Sequence, residues 1–184
     1  MGAAILIGLF GFSPAVDGAD DNAPTAVVRV DNLAEVPSDD LGFAESRAAE
    51  VFSRIGARVT WIDEETAFRE HRRPPFTVVL IKSNGLPPAR AGVVIEALGF
   101  ADPGVSRAHV LYDRVEALTA RSQRNPAGIL GDVLAHELGH LMLRGTKHSP
   151  RGIMRSGIDL HVRPLDTFTD EQGRQIVARL RGMN

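Results

Sequence analysis

The sequence predicts a single α/β or α+β domain built around a mixed β-sheet. Short runs rich in β-branched residues alternate with longer segments in which apolar residues recur every three or four positions. Their order along the chain is strand, helix, several strands, helix, loop and helix. With 184 residues, 43% of them hydrophobic and 24% charged, the chain is long enough for one well-packed core and short for two.

The first half of this pattern contains two strands and one long helix. Residues 26–30 (AVVRV) are typical of a strand. Ser38 is the expected N-cap of a helix that runs to about Ile55, and Gly56 follows as its end. Residues 58–62 (RVTWI) then predict the second strand.

Three further strand candidates lie in the middle of the chain. Residues 76–82 (FTVVLIK) have a nearly continuous apolar centre, which predicts a strand buried on both faces. Residues 92–98 (GVVIEAL) are a weaker candidate. Residues 107–115 (RAHVLYDRV) form the next, and they include Tyr112, the single tyrosine, as a strand residue.

Two helices with clear capping residues complete the pattern. Asn125 caps a helix that begins with proline and extends to Leu143 or Arg144, where Gly145 is expected to supply the left-handed stop. A loop rich in Gly, Pro and Arg follows. Thr169 then caps a last helix over about residues 170–180.

The composition excludes some partners and sites. The chain has 21 basic and 23 acidic residues and a formal net charge of −2, so it has no excess of positive charge with which to neutralise nucleic-acid phosphates. It contains no cysteine, which removes disulfides, thiolate metal ligands and cysteine nucleophiles. We therefore expect no nucleic-acid partner, and any metal site must do without thiolate.

The N-terminal segment has the composition of a secretory signal. Residues 3–12 (AAILIGLFGF) are too short to cross a bilayer but suit a signal-peptide core, although no basic residue precedes them. Small residues follow, which allows cleavage after Ala15 or nearer Ala19. We expect residues 1–24 to be this segment, residues 25–184 to form the domain, and the protein to be secreted or periplasmic without stable membrane insertion. The alternative is a disordered or strand-forming N-terminus.

The helix that follows Asn125 contains an H-E-x-x-H motif. His136 and His140 are four residues apart and therefore lie one turn apart on the same helix face. Two imidazoles so placed can bind one metal ion, and neutral imidazole is a preferred zinc ligand. Glu137 lies beside the first histidine, where its carboxylate can reach a water at the metal, so it is the candidate general base.

A catalytic zinc site needs a third protein ligand. His148 lies eight residues after His140, just beyond Gly145, and a folded-back loop can return it to the metal. Glu171 on the last helix competes for this role, although an acidic residue in a first helical turn is also explained by the helix dipole. Weaker candidates are His161, Asp159, His109 and His71.

The segment from His136 to Met154 resembles the metzincin clan of zinc peptidases, and within it the matrixin branch. The shared features are the helix motif, the glycine, a third histidine followed by Ser149, and the Ile-Met pair that ends at Met154. Here His148 follows His140 by two positions more than in the family pattern. No tyrosine follows Met154, so the tyrosine ligand of some metzincins has no counterpart.

The resemblance implies a fold, a site and an activity. The fold would be a mixed, mostly parallel sheet packed on a backing helix and an active-site helix, with a Met-turn and a C-terminal helix. His136, His140 and His148 would bind Zn²⁺, Glu137 would be the general base, and Met154 would form an apolar floor beneath the metal. The chain would then be a zinc-dependent endopeptidase that hydrolyses peptide bonds with a zinc-activated water and binds its peptide along an edge strand at residues 92–98.

Other functions share the same metal motif. A gluzincin-type peptidase would use Glu171 as the third ligand, and a zinc hydrolase could act on a carbonyl compound other than a peptide. A non-catalytic zinc-binding protein would close the zinc with a fourth protein ligand, whereas an enzyme leaves one position open.

Overall fold

The computed structural model describes residues 22–71, 73–86, 97–122, 124–145, 147–157 and 167–183. Most of the predicted signal segment and of the weak strand candidate at residues 92–98 lie outside these ranges. Within them, no helix combines the length and hydrophobicity that a bilayer crossing requires.

The described residues form one five-stranded sheet with the order β2-β1-β3-β5-β4. Four strands are parallel, and β4 pairs with β5 in the antiparallel direction at one edge. The strand bounds are β1 Thr25–Asn32, β2 Arg58–Asp63, β3 Phe76–Ile81, β4 Gly99–Asp102 and β5 Arg107–Leu111. The central position of β3 explains its burial on both faces, as its apolar run predicts.

In the described part of the chain five α-helices accompany the sheet, and two of them cover its apolar face. Their bounds are α1 Ser38–Ser53, α2 Glu64–Arg69, α3 Tyr112–Ser122, α4 Pro126–Leu143 and α5 Asp170–Arg181. Alternate residues of β1, β3 and β5, among them Val28, Val78 and Val110, are fully buried in the core that α1 and α4 share. The mixed, mostly parallel sheet with a backing helix and a second long helix confirms the predicted fold class.

Helices α1 and α4 approach closely at Gly131. A Cβ atom at this position would lie 2.8 Å from the backbone oxygen of Ala44 and would overlap the side chain of Arg47. Arg47 also forms a 3.0 Å ion pair with Asp132 of α4. The absence of a side chain at Gly131 therefore allows the backing helix to fix the position of α4.

Helix α5 fixes the other end of α4. Thr169 and Gln172 form a capping box at the start of α5, in agreement with the predicted cap. From the last turn of α5, the guanidinium of Arg179 donates hydrogen bonds to the backbone oxygens of Leu141 and Met142. These are C-terminal carbonyls of α4 that have no partner within the helix.

Several predicted boundaries are wrong. The predicted strand at residues 107–115 ends at Leu111, and Tyr112 begins α3 instead of continuing the strand. Val115 and Thr119 are buried there and are four residues apart, which is helical spacing. The prediction did not detect this spacing because the residues just before it have the composition of a strand. Ser38 is the first residue of α1, and Pro37 before it is the N-cap position. Helix α2, capped by Asp63, was not predicted.

The edge strand β4 was also missed. Its residues, Gly99–Asp102 (GFAD), begin just beyond the predicted strand at residues 92–98. Residues 97 and 98 are described and are not in a strand, while the rest of that prediction lies outside the described residues. A four-residue strand that begins with glycine gives little β-propensity signal.

Candidate active site

Helix α4 places His136 and His140 on one face, at the end of the helix nearest α5. Asn125 begins the helix as predicted, since its side-chain oxygen accepts a hydrogen bond from the backbone N–H of Ala127 at 2.9 Å. The helix is apolar on almost all sides, so it is buried and rigidly held. His136 is partly buried and His140 is buried.

Backbone oxygens fix the protonation of both imidazoles. His136 Nδ1 lies 2.7 Å from the oxygen of Ile153, and His140 Nδ1 lies 2.7 Å from the oxygen of Gly145. A carbonyl oxygen can only accept a hydrogen bond, so each Nδ1 must donate its proton. In the neutral ring this leaves the Nε2 atom with a free lone pair, the form in which histidine binds a metal.

The two Nε2 atoms face each other at 3.0 Å. Since neither atom has a proton in this tautomer, their contact is between two lone pairs and is repulsive unless a cation lies between them. Zinc bonds to histidine nitrogen are about 2.0–2.1 Å long, so two ligands of a tetrahedral zinc are roughly 3.3 Å apart. The observed separation is close to that value, and the pair fits a metal ion.

Burial keeps both rings neutral in the metal-free protein. It lowers the pKa of His136 to about 4, although the hydrogen bond to Ile153 acts in the opposite direction. Burial also lowers the pKa of His140, against the effect of its hydrogen bond to Gly145. Neutral rings are ready to bind a metal without first losing a proton.

The loop after α4 brings His148 to this pair. Its ring centroid lies 5.2 Å from that of His136 and 5.0 Å from that of His140. One nitrogen from each ring can be chosen so that all three lie within 4.8 Å of one another. No fourth His, Asp or Glu of the described ranges joins this group.

The other predicted candidates lie elsewhere or outside the described residues. Glu171 is in the first turn of α5, where it accepts a hydrogen bond from Gln175 and is not part of the histidine group. His109 on β5 stacks on the ring of Phe100, and His71 is exposed in a loop. Asp159 and His161 fall in the segment from 158 to 166, which is not described.

The carboxylate of Glu137 lies between α4 and the edge strand β4. Its side chain is only 4% exposed, and Oε2 has no hydrogen-bond partner. A Cβ atom at Gly99 would lie 2.8 Å from Oε1, so the glycine leaves the space that the carboxylate occupies. Burial raises the pKa of Glu137 to about 8 in the metal-free protein.

Met154 is fully buried and packs against helix α4. The turn around it is held by hydrogen bonds from Ser149 N to the oxygen of Met154 at 2.8 Å, and from Ile153 N to the oxygen of Thr167 at 2.9 Å. Its sulfur packs against Gly139, the residue before His140. An apolar side chain thus packs against helix α4 between His136 and His140 in the sequence, and the role of Met154 as a Met-turn stays a prediction.

The end of α4 differs from the prediction in one detail. Arg144, and not Gly145, has the left-handed backbone conformation, with φ of 53°. Gly145 instead donates its N–H to the backbone oxygen of His140 at 3.2 Å, and its own oxygen accepts a hydrogen bond from Nδ1 of the His140 ring. Helix α4 therefore ends at Leu143, three residues after His140.

Several contributors to the site were not found from the sequence. The backbone oxygens of Ile153 and Gly145 orient the imidazoles, and main-chain groups leave no signal in residue type. Gly99 was assigned no role, because nothing in the sequence shows which residue faces Glu137. Gly139 is the exception. A glycine inside a predicted helix often marks a position where another part of the chain packs closely against the helix.

Comparisons with known proteins identify relatives of the fold. The archaemetzincin of Methanopyrus kandleri superposes with a TM-score of 0.58 and 16% sequence identity, and the match covers 87% of this chain and 98% of that one. A zinc-dependent peptidase from Methanocorpusculum labreanum gives a TM-score of 0.55 and 15% identity, with 81% and 99% of the two chains covered. No protein-family model matches the sequence, and a search of curated proteins gives no significant match. The described chain therefore has an archaemetzincin-like fold, with three histidines grouped on it in a geometry that fits one zinc ion.

Proposed function

We propose that this protein is a zinc-dependent endopeptidase in which His136, His140 and His148 bind the metal and Glu137 is the general base. The observation that supports this most strongly is the facing pair of unprotonated Nε2 atoms at 3.0 Å, with the third histidine beside them. Three protein ligands leave one position of a tetrahedral zinc open, as in catalytic and not in structural sites. The names of the two structural neighbours support the same class.

The residues around the histidines are suited to this chemistry. Zinc, when bound, polarises the substrate carbonyl and lowers the pKa of a water molecule. Glu137 would accept a proton from the attacking water and later donate it to the departing amine. The Oε2 atom of the buried carboxylate has no hydrogen-bond partner, so it is free to accept that proton.

The edge strand β4 suggests how a peptide would bind. Gly99–Asp102 pairs with β5 on one side, and within the described ranges no strand pairs with its other side. An extended peptide can add to such an edge through main-chain hydrogen bonds. Glu137 lies against Gly99 of this strand, so a peptide bound there would pass close to the proposed base. An internal peptide bond can be reached in this way, which favours an endopeptidase.

Two finer assignments remain proposals. We place the chain near the matrixin branch because Ser149 follows His148 and an Ile-Met pair follows in the loop. We also propose export from the cytoplasm, on the strength of the apolar run at residues 3–12. Sequencing the N-terminus of the protein recovered from its native host would test export, since cleavage after Ala15 or near Ala19 is expected.

Metal content and peptide cleavage test the proposal together. Purified wild type should contain one zinc per chain and cleave members of a mixed fluorogenic peptide library, and chelation should abolish cleavage. His148→Ala should weaken zinc binding by at least about tenfold, whereas Glu171→Ala should leave it unchanged. If the zinc content is unchanged in His148→Ala but lost in Glu171→Ala, the assignment of His148 as the third ligand is contradicted. Full zinc occupancy without cleavage of any peptide would contradict the assigned activity.

A further inference from the structure

An open groove of about 1500 Å³ begins at His148 and continues away from the histidine group. One wall is formed by residues 143–145 and 147–152, and the other is the start of α5 with the two residues before Thr169. His148 lines this groove and also belongs to the metal site. A polypeptide held at the metal would therefore lie next to this groove.

The walls of the groove are rich in positive charge. Four of the lining side chains are cationic and exposed: Arg144, Lys147, Arg151 and Arg174. Among the described residues, none of these four forms an ion pair. Two carboxylates, those of Asp170 and Glu171, also line the groove, and Glu171 is engaged by Gln175. The groove therefore has a net positive charge in a protein whose formal net charge is −2.

This local charge is not accounted for by folding. Some arginines elsewhere pair with neighbouring acids, as Arg47 does with Asp132 and Arg54 does with Glu50. Like charges that crowd one wall without partners repel each other, and a bound anion relieves that repulsion. The start of α5 adds its partial positive charge to the same wall, although its own acidic first turn offsets part of it.

We infer that the groove binds acidic side chains of the polypeptide substrate, on one side of the bond that is cleaved. The inference rests on the proposed peptidase function and adds a substrate class to it: chains with Asp or Glu within a few residues of the scissile bond. Nucleic acid is a poorer match than a peptide, because the positive charge is confined to one groove of a protein with an overall negative charge.

Binding can be measured separately from cleavage. The probe is a fluorescein-labelled hexaglutamate peptide, added to the zinc-loaded protein at low salt and followed by anisotropy, with a hexaglutamine peptide as the neutral comparison. The test variant is Lys147→Glu/Arg151→Glu, and the matched control is Lys82→Glu/Arg73→Glu, which makes the same charge change at exposed positions outside the groove. Zinc content and the thermal midpoint of each protein show whether the site and the fold are intact.

The expected result is hexaglutamate binding that is at least about tenfold tighter than hexaglutamine binding and that weakens with added salt. It should weaken about tenfold or more in the groove variant and change less than about threefold in the control. Equal binding of the two peptides by wild type, an equal loss in the control, or tighter binding of a decathymidine probe would each overturn the inference.

Cleavage distinguishes the inference from the proposed function. Among the library peptides that wild type cleaves, those with Glu near the scissile bond should be preferred over matched Gln peptides, and the groove variant should lose this preference. Cleavage with no such preference overturns the inference and leaves the peptidase function standing. Groove-dependent hexaglutamate binding without any cleavage would instead overturn the peptidase function and leave an acidic-peptide site.

Discussion

The sulfur of Met154 packs directly against Gly139, one residue before His140 on the active-site helix α4. A Cβ atom at Gly139 would overlap this sulfur and would lie 2.8 Å from Cε1 of Phe168. The glycine inside the H-E-x-x-H motif is therefore a packing requirement, because only a residue without a side chain allows the methionine to pack this closely against the helix.

Gly139→Ala should destabilise the protein by about 1–3 kcal/mol, since overpacking a fully buried site forces neighbouring side chains to move. Zinc affinity should fall as well, because Met154 supports the helix turn between the ligands. Gly128→Ala is the matched control on the same helix, where a new Cβ would meet only Phe43 at 4.0 Å. The control should be neutral or stabilise by up to about 1 kcal/mol. Urea unfolding of both variants measures the change in the free energy of unfolding. An equal change in Gly139→Ala and Gly128→Ala would refute the packing role of Gly139.

Gly99 and Glu137 have a similar relationship across the gap between β4 and α4. Gly99→Ala would place a Cβ atom 2.8 Å from Glu137 Oε1 and 2.8 Å from the oxygen of His109. We expect kcat to fall by about tenfold or more while KM and zinc content change little, because the proposed general base is displaced and the proposed metal ligands are not. Gly85→Ala, where nothing lies within 4 Å of the new Cβ, should leave kcat unchanged. An unaltered kcat in Gly99→Ala would show that Glu137 does not depend on this space.

Glu45 on α1 should make the free energy of unfolding depend on pH, and this effect does not involve the metal site. Burial, with a smaller contribution from the nearby charge of Asp63, raises the pKa of Glu45 from 4.5 to about 7. The folded state then holds this proton while the unfolded state releases it, so the free energy of unfolding falls as pH rises from about 4.5 to about 7. Because the group is partly exposed, the loss should be on the order of 1 kcal/mol.

Glu45→Gln should remove this loss. The measurement is urea unfolding of wild type and Glu45→Gln at several pH values in the same window. Other titrating groups affect both proteins equally, so they cancel in the difference between the two free energies of unfolding. Glu65→Gln is the control, since the side chain of Glu65 is 85% exposed. A difference between wild type and Glu45→Gln that stays constant with pH would contradict the raised pKa of Glu45.

Arg179 should stabilise the C-terminal end of α4 through its hydrogen bonds to Leu141 and Met142. Arg179→Met keeps much of the apolar bulk against Phe76, whose ring centroid lies 5.5 Å from the guanidinium carbon, but leaves the two carbonyls without this donor. We expect a loss of about 2 kcal/mol in the free energy of unfolding. Arg181→Met, in the exposed last turn of the same helix, should cost less than about 1 kcal/mol. A loss at Arg179 no larger than at Arg181 would be inconsistent with this role.

The sequence predicts the parts of this protein that local chemistry specifies. Asn125 and Thr169 begin their helices because their side chains accept backbone hydrogen bonds, and the continuous apolar run of β3 follows from its central place in the sheet. The one-turn spacing of His136 and His140 follows from helix geometry alone.

Tertiary contacts decide what the sequence does not predict. Residues 107–115 have the composition of one strand, but packing of Val115 against the core converts the second half into helix α3. The left-handed residue after α4 is Arg144 although glycine is next to it, and the backbone oxygen of Gly145 accepts a hydrogen bond from the His140 ring. The position of His148 beside the other two histidines could not be predicted in the same way, because it depends on the path of a loop and loops have no periodic sequence pattern.

Replacement of Glu137 by Gln is the most direct test of the proposed catalytic site. The change keeps the size of the side chain and removes only its ability to accept a proton, so zinc content and the thermal midpoint should stay near those of wild type. We predict that kcat/KM on the best library peptide falls by about 10²–10⁴-fold in zinc-loaded Glu137→Gln. Cleavage at the wild-type rate by a fully zinc-loaded Glu137→Gln would contradict the account.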